Sequence, residues 1–175
     1  MIKIILSILV LIGITIGFFH WQSKQKEADI TTFEECGAAG YPIMESYPAQ
    51  CRTADGKHFV QDIGNELEKQ DLIQLSDPRP GQTITHTVHV TGQARGTWFF
   101  EASFPVHLQD SQGNTLVTAV AQAEGEWMTE SFVPFSTTLT IPPSFSGKAT
   151  LVLEKDNPSG LPEHADALRV PVIVE

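Results

Sequence analysis

The sequence has few cations and no cluster of them. Lys and Arg number 11 against 21 Asp and Glu, which gives a formal net charge of −10 over 175 residues. Nucleic-acid binding depends on clustered cations that neutralise phosphates, so that class of function is excluded. With 41% hydrophobic and 18% charged residues, the chain is also too apolar to be mainly a disordered acidic tail.

The motifs of common enzyme classes are missing as well. The chain has no Gly-x-Ser-x-Gly nucleophile elbow, no glycine loop for phosphate or dinucleotide and no His-Glu-x-x-His pair. Two cysteines cannot by themselves form a structural zinc site. Loop oxygens at 110–114 and 156–157 complete no EF-hand, which leaves calcium at a loop as a minor alternative. We therefore predict a non-enzymatic protein with no metal site and no cofactor.

One long apolar run lies near the N-terminus, from Ile4 to Phe19, interrupted only by Gly, Ser and Thr. A helix over 4–21 would be about 27 Å long, close to the roughly 30 Å of a bilayer core. Trp21 would then lie at the interface, where its ring is favoured. No small-x-small cleavage site follows the run. This pattern predicts a transmembrane signal anchor over residues 1–23; a cleaved signal peptide is the alternative.

The only cysteines, Cys36 and Cys51, lie in one short, turn-rich segment. Such pairs form disulfides in oxidising compartments, and closing this loop would stabilise the segment by about 3 kcal/mol. The alternative is a pair of buried thiols in a cytosolic protein. We expect the disulfide, an N-terminus on the cytoplasmic side of the membrane and an exported remainder.

The exported part divides by composition into a polar stalk over 24–32, a two-cysteine unit over 33–60, a charged linker over 61–70 and a domain over 71–175. The two-cysteine unit lacks helical periodicity and has a turn signal at Asp55-Gly56.

The last stretch alternates apolar and polar residues, as Phe100 to Leu108 illustrates, and contains no amphipathic helix of ten residues. Turn signals separate seven predicted strands, which lie near 72–75, 84–90, 100–108, 116–121, 132–141, 149–154 and 168–174. This spacing predicts an all-β fold, an immunoglobulin-like sandwich of about seven strands. A small closed barrel is the alternative.

Four runs in this domain resemble one family. They are GTWFFEASFPV at 96–106, AxAxGEWMTE at 121–130, VPF at 133–135 and LVLEKDNPSGLPE at 151–163. They are similar to the immunoglobulin-like (Gmad-type) domain of bacterial spore germination, over roughly 72–174. The resemblance implies an extracytoplasmic module of the bacterial cell envelope and assigns no catalytic residue. With the anchor, it implies a single-pass protein of the bacterial cytoplasmic membrane whose C-terminal domain is extracytoplasmic.

Aromatic residues beside carboxylates provide the candidate binding site. Trp98 and Trp127 lie near predicted strand ends, close in sequence to Glu101 and Glu130. A ring flanked by polar groups can cover the apolar face of a sugar or peptide. A tryptophan near the start of a central immunoglobulin strand is commonly core, however, and this is the alternative for Trp98.

These features predict a membrane-anchored, non-enzymatic module that binds a cell-wall polymer (glycan or peptide) or an envelope protein. Two alternatives remain. One is a structural subunit that pairs through a sheet edge. The other is a protease inhibitor, because the sequence at 55–59 is faintly similar to Kazal-type inhibitors, although those carry six cysteines.

Overall fold

The computed structural model describes residues 29–175. The predicted anchor over 1–23 and most of the predicted stalk lie outside the described residues. No helix within 29–175 is both long enough and apolar enough to cross a bilayer. The described chain forms a small two-cysteine unit followed by a β-sandwich.

The two-cysteine unit begins with a short helix, α1 (Phe33–Ala38). The segment lacks a helical period, yet the helix forms because Thr32 caps it. The Thr32 hydroxyl accepts a hydrogen bond from the backbone N–H of Glu35, and the Glu35 carboxylate accepts one from the backbone N–H of Thr32. This capping box satisfies two N–H groups that would otherwise lack partners. Three short antiparallel strands follow, namely β1 (Ile43–Met44), β2 (Gln50–Arg52) and β3 (His58–Val60).

The disulfide between Cys36 and Cys51 is present, with Cα atoms 6.1 Å apart. It joins α1 to β2, and both cysteines are fully buried. Ile30 completes this small core, against which Phe33, Tyr41 and Phe59 pack. The cross-link is thus the centre of a unit that has few other buried side chains.

The predicted linker over 61–70 packs against the sandwich. It contains a one-turn helix, α2 (Glu66–Lys69), and is bonded to the sandwich. The Asn65 side chain donates to the carbonyl of Ala167 at 2.9 Å and accepts from the backbone N–H of Arg169 at 2.7 Å. Lys69 pairs with Asp166 at 2.6 Å. These contacts hold the segment against the final strand.

A buried carboxyl joins the two-cysteine unit to the sandwich. The Tyr47 hydroxyl donates to Glu66, and the Arg79 guanidinium donates to Glu66 at 3.1 Å and to the Tyr47 oxygen at 3.1 Å. Glu66 is buried. Burial raises the pKa of the Glu66 carboxyl, and the neighbouring Arg79 guanidinium opposes part of that rise.

Eight strands form the sandwich, one more than the seven predicted. They run in the spatial order β4-β6-β9-β8-β7-β10-β11-β5. Their bounds are β4 (Ile73–Asp77), β5 (Thr83–Ile84), β6 (Thr87–Arg95), β7 (Ser103–Asp110), β8 (Thr115–Ala123), β9 (Phe132–Thr140), β10 (Gly147–Glu154) and β11 (Ala167–Val174).

The extra strand comes from a change of layer that the alternation does not reveal. Ile84, Val88 and Val90 share one period of two, which predicted a single strand over 84–90. Instead Ile84 belongs to β5, which pairs in parallel with β11, whereas β6 pairs with β4 and β9. All three side chains are buried, because both layers face the same core.

The sheet folds into two layers between β8 and β9. Only two residue pairs join these strands, Gln122 with Ser136 and Ala123 with Phe135. Across the resulting core, the rings of Phe104 and Phe135 meet edge to face with centroids 4.9 Å apart. This is the aligned two-layer packing of an immunoglobulin-like sandwich.

Candidate functional site

Three loops meet at one end of the sandwich, which we call the loop end. They comprise residues 96–102 between β6 and β7, 124–131 between β8 and β9, and 155–166 between β10 and β11. They meet because each connects the same ends of antiparallel strands. In an immunoglobulin-like sandwich, loops at one end form a shared surface that can vary without changing the core.

The first loop buries one aromatic residue and exposes another. Trp98 ends a 3₁₀ turn over Gly96–Trp98 and is only 1% exposed. Phe100 is 43% exposed. Glu101 and Ala102 follow with φ angles of 50° and 64°, the left-handed region that non-glycine residues rarely adopt. The predicted strand face starting at Phe100 therefore begins at Phe104, because the chain turns before β7.

The second loop packs closely on the first. A Cβ on Gly96 would lie 2.1 Å from the Trp127 carbonyl oxygen and 2.0 Å from that of Thr129. Only glycine allows this approach. The Trp127 side chain is half-buried and packs against the sandwich core. The next residue, Met128, is 78% exposed.

The third loop is tied to the first by a backbone hydrogen bond from the N–H of Asp156 to the carbonyl of Trp98, 3.1 Å long. It contains a turn closed by the N–H of Gly160 and the carbonyl of Asn157. Leu161 then projects from the loop and is 47% exposed. Each of the three loops thus presents one large exposed apolar side chain.

The loop end is strongly acidic. Its three segments contain seven carboxylates and one lysine, Lys155, and of the seven only Asp166 is paired with a lysine from outside the loops, Lys69. The nearby Arg95 guanidinium is engaged in contacts within the fold. It donates to the backbone carbonyls of Asp71 and Glu130 and stacks over the ring of Phe132. Exposed apolar groups among carboxylates suit a partner with apolar and cationic groups.

The structure brings the four predicted site residues into this one end, with different exposure. Glu101 and Glu130 are exposed, and Trp127 is half-buried. Trp98 does not offer its ring to a ligand, because it is part of the core; this corrects its assignment as a binding residue. Its indole Nε1 has no hydrogen-bond partner within residues 29–175.

Sequence reasoning placed Met128, beside Trp127, near a strand end or loop, but missed Phe100 and Leu161 as surface residues. Phe100 continued the alternation of β7, and Leu161 is a single apolar residue within a polar loop. The available signal was the grouping of turn residues around them, at 124–125 and 156–160, which placed these stretches outside strands.

One concave region borders the third loop, between Lys69 and Asp166, and another lies away from the loop end. A groove of about 360 Å³ separates the two-cysteine unit from the sandwich and is lined by residues that include Phe33, Phe59, Val60, Lys148 and Pro171. Within the described part of the chain, no group of three His, Cys, Asp or Glu side chains could hold a metal ion.

Comparison with known proteins agrees with this architecture. Residues 72–160 match Gmad2, the immunoglobulin-like domain of bacterial spore germination. No curated protein matches the chain. The matched residues run from just before β4 into the third loop and include Phe100, Trp127 and Met128. The match covers half of the chain. Domains of this family are extracellular-type modules with a non-catalytic fold. The chain therefore belongs to the family of immunoglobulin-like domains of bacterial spore germination.

Proposed function

We propose that this protein is a membrane-anchored, extracytoplasmic binding module of the bacterial cell envelope, and that the loop end holds its partner. The exported position rests on the disulfide and on the family. Anchoring rests on the apolar run at residues 4–19.

The observation that carries the proposal is the exposure of one large apolar side chain from each loop, namely Phe100, Met128 and Leu161. Exposing apolar side chains costs free energy of hydration, and all three belong to loops at the same end of the sandwich, which favours this end as an interaction surface. Backbone hydrogen bonds and the Gly96 contact join the three loops. The surface is therefore preformed, which lowers the entropy cost of binding.

Backbone strain supports the same location. Glu101 and Ala102 hold unfavourable left-handed conformations in the turn that presents Phe100. Strain of this kind persists where surrounding structure imposes it and is concentrated at functional sites. Asn-Gly would fit the turn at lower cost, so these residues favour a role for the turn beyond stability.

An envelope protein fits this surface better than a wall glycan. Of the two tryptophans on which a sugar face could stack, Trp98 is buried and Trp127 is half-buried, and the exposed ring of Phe100 is accompanied by the aliphatic side chains of Met128 and Leu161. Flexible methionine and leucine side chains pack well against a protein surface. Seven carboxylates favour a basic partner segment.

Photocrosslinking in intact cells tests the proposal. A photoreactive amino acid replaces Met128 in the full chain, and a matched variant carries it at Ile43, which is 52% exposed in the two-cysteine unit. We expect one specific protein adduct from position 128 and none from 43. Alanine at Met128 or Phe100 should weaken association with the captured protein about tenfold, whereas Ile43→Ala should not.

A second assay separates a protein partner from a glycan. The full chain in mild detergent is incubated with insoluble peptidoglycan, alongside Trp127→Ala. Retention that disappears in the Trp127 variant would assign the loop end to a wall polymer. Equal adducts from positions 128 and 43, together with no retention on peptidoglycan, would overturn the loop end as the binding surface.

A further inference from the structure

The edge of β8 over Thr115–Ala119 is unpaired within the described residues. β8 pairs along its length with β7, but with β9 only at Gln122 and Ala123. In the part of β8 that precedes Gln122, β8 and β9 separate into different layers. Five residues of β8, Thr115–Ala119, therefore have a strand on one side only.

The other open edges carry features that oppose strand addition. β4 ends at Asp77 and is followed by Pro78, and β5 has two residues. The free part of β9 runs into Pro142-Pro143. Charge, proline and short length are the usual means by which proteins block exposed edges. β8 has none of these three, and the thirteen residues between Asp110 and Glu124 contain no charge and no proline. Its one irregularity is a register shift at Leu116, opposite Leu108 and Gln109, which leaves Val117 to Ala119 in regular register with β7.

Two observations indicate which backbone groups of β8 face outward. The Val120 carbonyl accepts a hydrogen bond from the Thr137 hydroxyl at 2.9 Å, on the side away from β7. Opposite Val120 on β7 lies Pro105, which has no N–H to donate. Because residues two apart in a strand direct their backbone groups to the same side, the N–H and C=O of Thr118 also point outward.

We propose that this edge pairs with the same edge of a second copy of the chain, in antiparallel register about a two-fold axis. A chain of net charge −10 repels its copies over most of its surface. The charge-free edge of β8 is where two copies can approach without that repulsion. An isologous pair places uncharged strands of Thr, Val, Leu and Ala against each other, and β-branched residues favour such cross-strand contacts.

Sedimentation velocity of the full chain in detergent micelles tests the proposal. Thr118→Lys places a charge at the centre of the edge. Thr138→Lys is the matched control, because Thr138 is also exposed and its hydroxyl bonds a histidine at 2.9 Å, as that of Thr118 does. We expect a dimer whose dissociation constant rises at least about tenfold in Thr118→Lys and is unchanged in Thr138→Lys. The added lysine lowers the net negative charge, so general repulsion cannot explain such a loss.

Three results would overturn the proposal. The chain could stay monomeric up to several hundred micromolar. The dimer could be equally stable in all three proteins, which would place the contact elsewhere, the N-terminal run included. The wild-type chain could be monomeric and bound to a different protein, which Thr118→Lys no longer binds. The edge would then accept a strand of another protein and not of a second copy. If the lysine variant fails to fold, oxidative cross-linking of cysteine variants in membranes replaces it. The proposal then requires a disulfide-linked dimer from Thr118→Cys and none from Thr138→Cys.

Discussion

Phe100 and Ser103 exchange two backbone hydrogen bonds, 3.0 and 3.1 Å long, across the turn formed by Glu101 and Ala102. A two-residue turn of this kind requires positive φ at both central positions, and Asn-Gly is the usual solution. Here a glutamate and an alanine occupy them at φ 50° and 64°. Each carries a conformational cost of about 1–2 kcal/mol.

Replacing Ala102 with glycine should therefore stabilise the fold. We expect Ala102→Gly to raise the free energy of unfolding by about 1 kcal/mol, because relief of the left-handed strain outweighs the added entropy of the unfolded chain. Urea denaturation measures the change. Ala165→Gly is the control: Ala165 is exposed and has an ordinary φ of −73°, so glycine there should destabilise by up to about 1 kcal/mol. Destabilisation by both variants would contradict the strain.

Adding a methyl group at Gly96 should disrupt the contact between the first two loops. In Gly96→Ala the Cβ would overlap the carbonyl oxygens of Trp127 and Thr129, and backbone atoms cannot move aside cheaply. We expect a loss of about 2 kcal/mol or more in unfolding free energy and a displaced Trp127, visible as altered tryptophan fluorescence. Gly37→Ala, whose nearest contact is a flexible Ile43 side-chain atom at 3.2 Å, should change stability by less than about 1 kcal/mol. Similar losses in the two variants would refute this role of Gly96.

Glu66 should make stability depend on pH. Because its pKa is raised in the folded state, the folded chain retains a proton at pH values where the unfolded chain has lost it. The contribution of this group is therefore fully present below its ordinary pKa and is lost as pH rises through the raised value. We expect Glu66→Gln to remove this decline. The measurement is urea denaturation at closely spaced pH values from 4 to 7, as the difference between wild type and variant, because other carboxylates titrate in both. A difference that does not change with pH would contradict the raised pKa.

Breaking the disulfide should loosen the two-cysteine unit and spare the sandwich. The cysteines are 15 residues apart, a loop for which the chain-entropy estimate is about 3 kcal/mol. In Cys36→Ser/Cys51→Ser, amide hydrogen exchange should accelerate over 31–60, whereas the amides of β7 and β10 should keep their protection. Equal acceleration in both regions would mean that the unit is integral to the sandwich core.

Alternation in the sequence was sufficient to predict most of the sandwich. The predicted strands at 116–121, 132–141, 149–154 and 168–174 correspond to β8, β9, β10 and β11 within a few residues. This works because one face of each strand is buried. Alternation carries no information about which layer a strand joins, so β5 and β6 were merged.

Local backbone chemistry accounts for the other differences. The capping box at Thr32 and Glu35 starts α1 although no apolar period marks it. The turn at Glu101 and Ala102 interrupts an apparently continuous strand because hydrogen bonds between Phe100 and Ser103 hold it. The candidate site followed the same pattern: sequence placed Trp127, Glu101 and Glu130 in the right region, but exposure of Phe100 and Met128 depends on how three distant loops close on each other.

The bonds from Asn65 to the backbone of β11 have a mechanical consequence. If the proposed anchor and the proposed partner at the loop end hold the chain at its two ends, the chain is under tension whenever the two move apart. With Asn65 and Lys69 clamped to residues 166–169, that tension enters the sandwich at the base of the third loop instead of being absorbed by a slack tether. The segment over 61–70 would then pass the force directly to the backbone of β11.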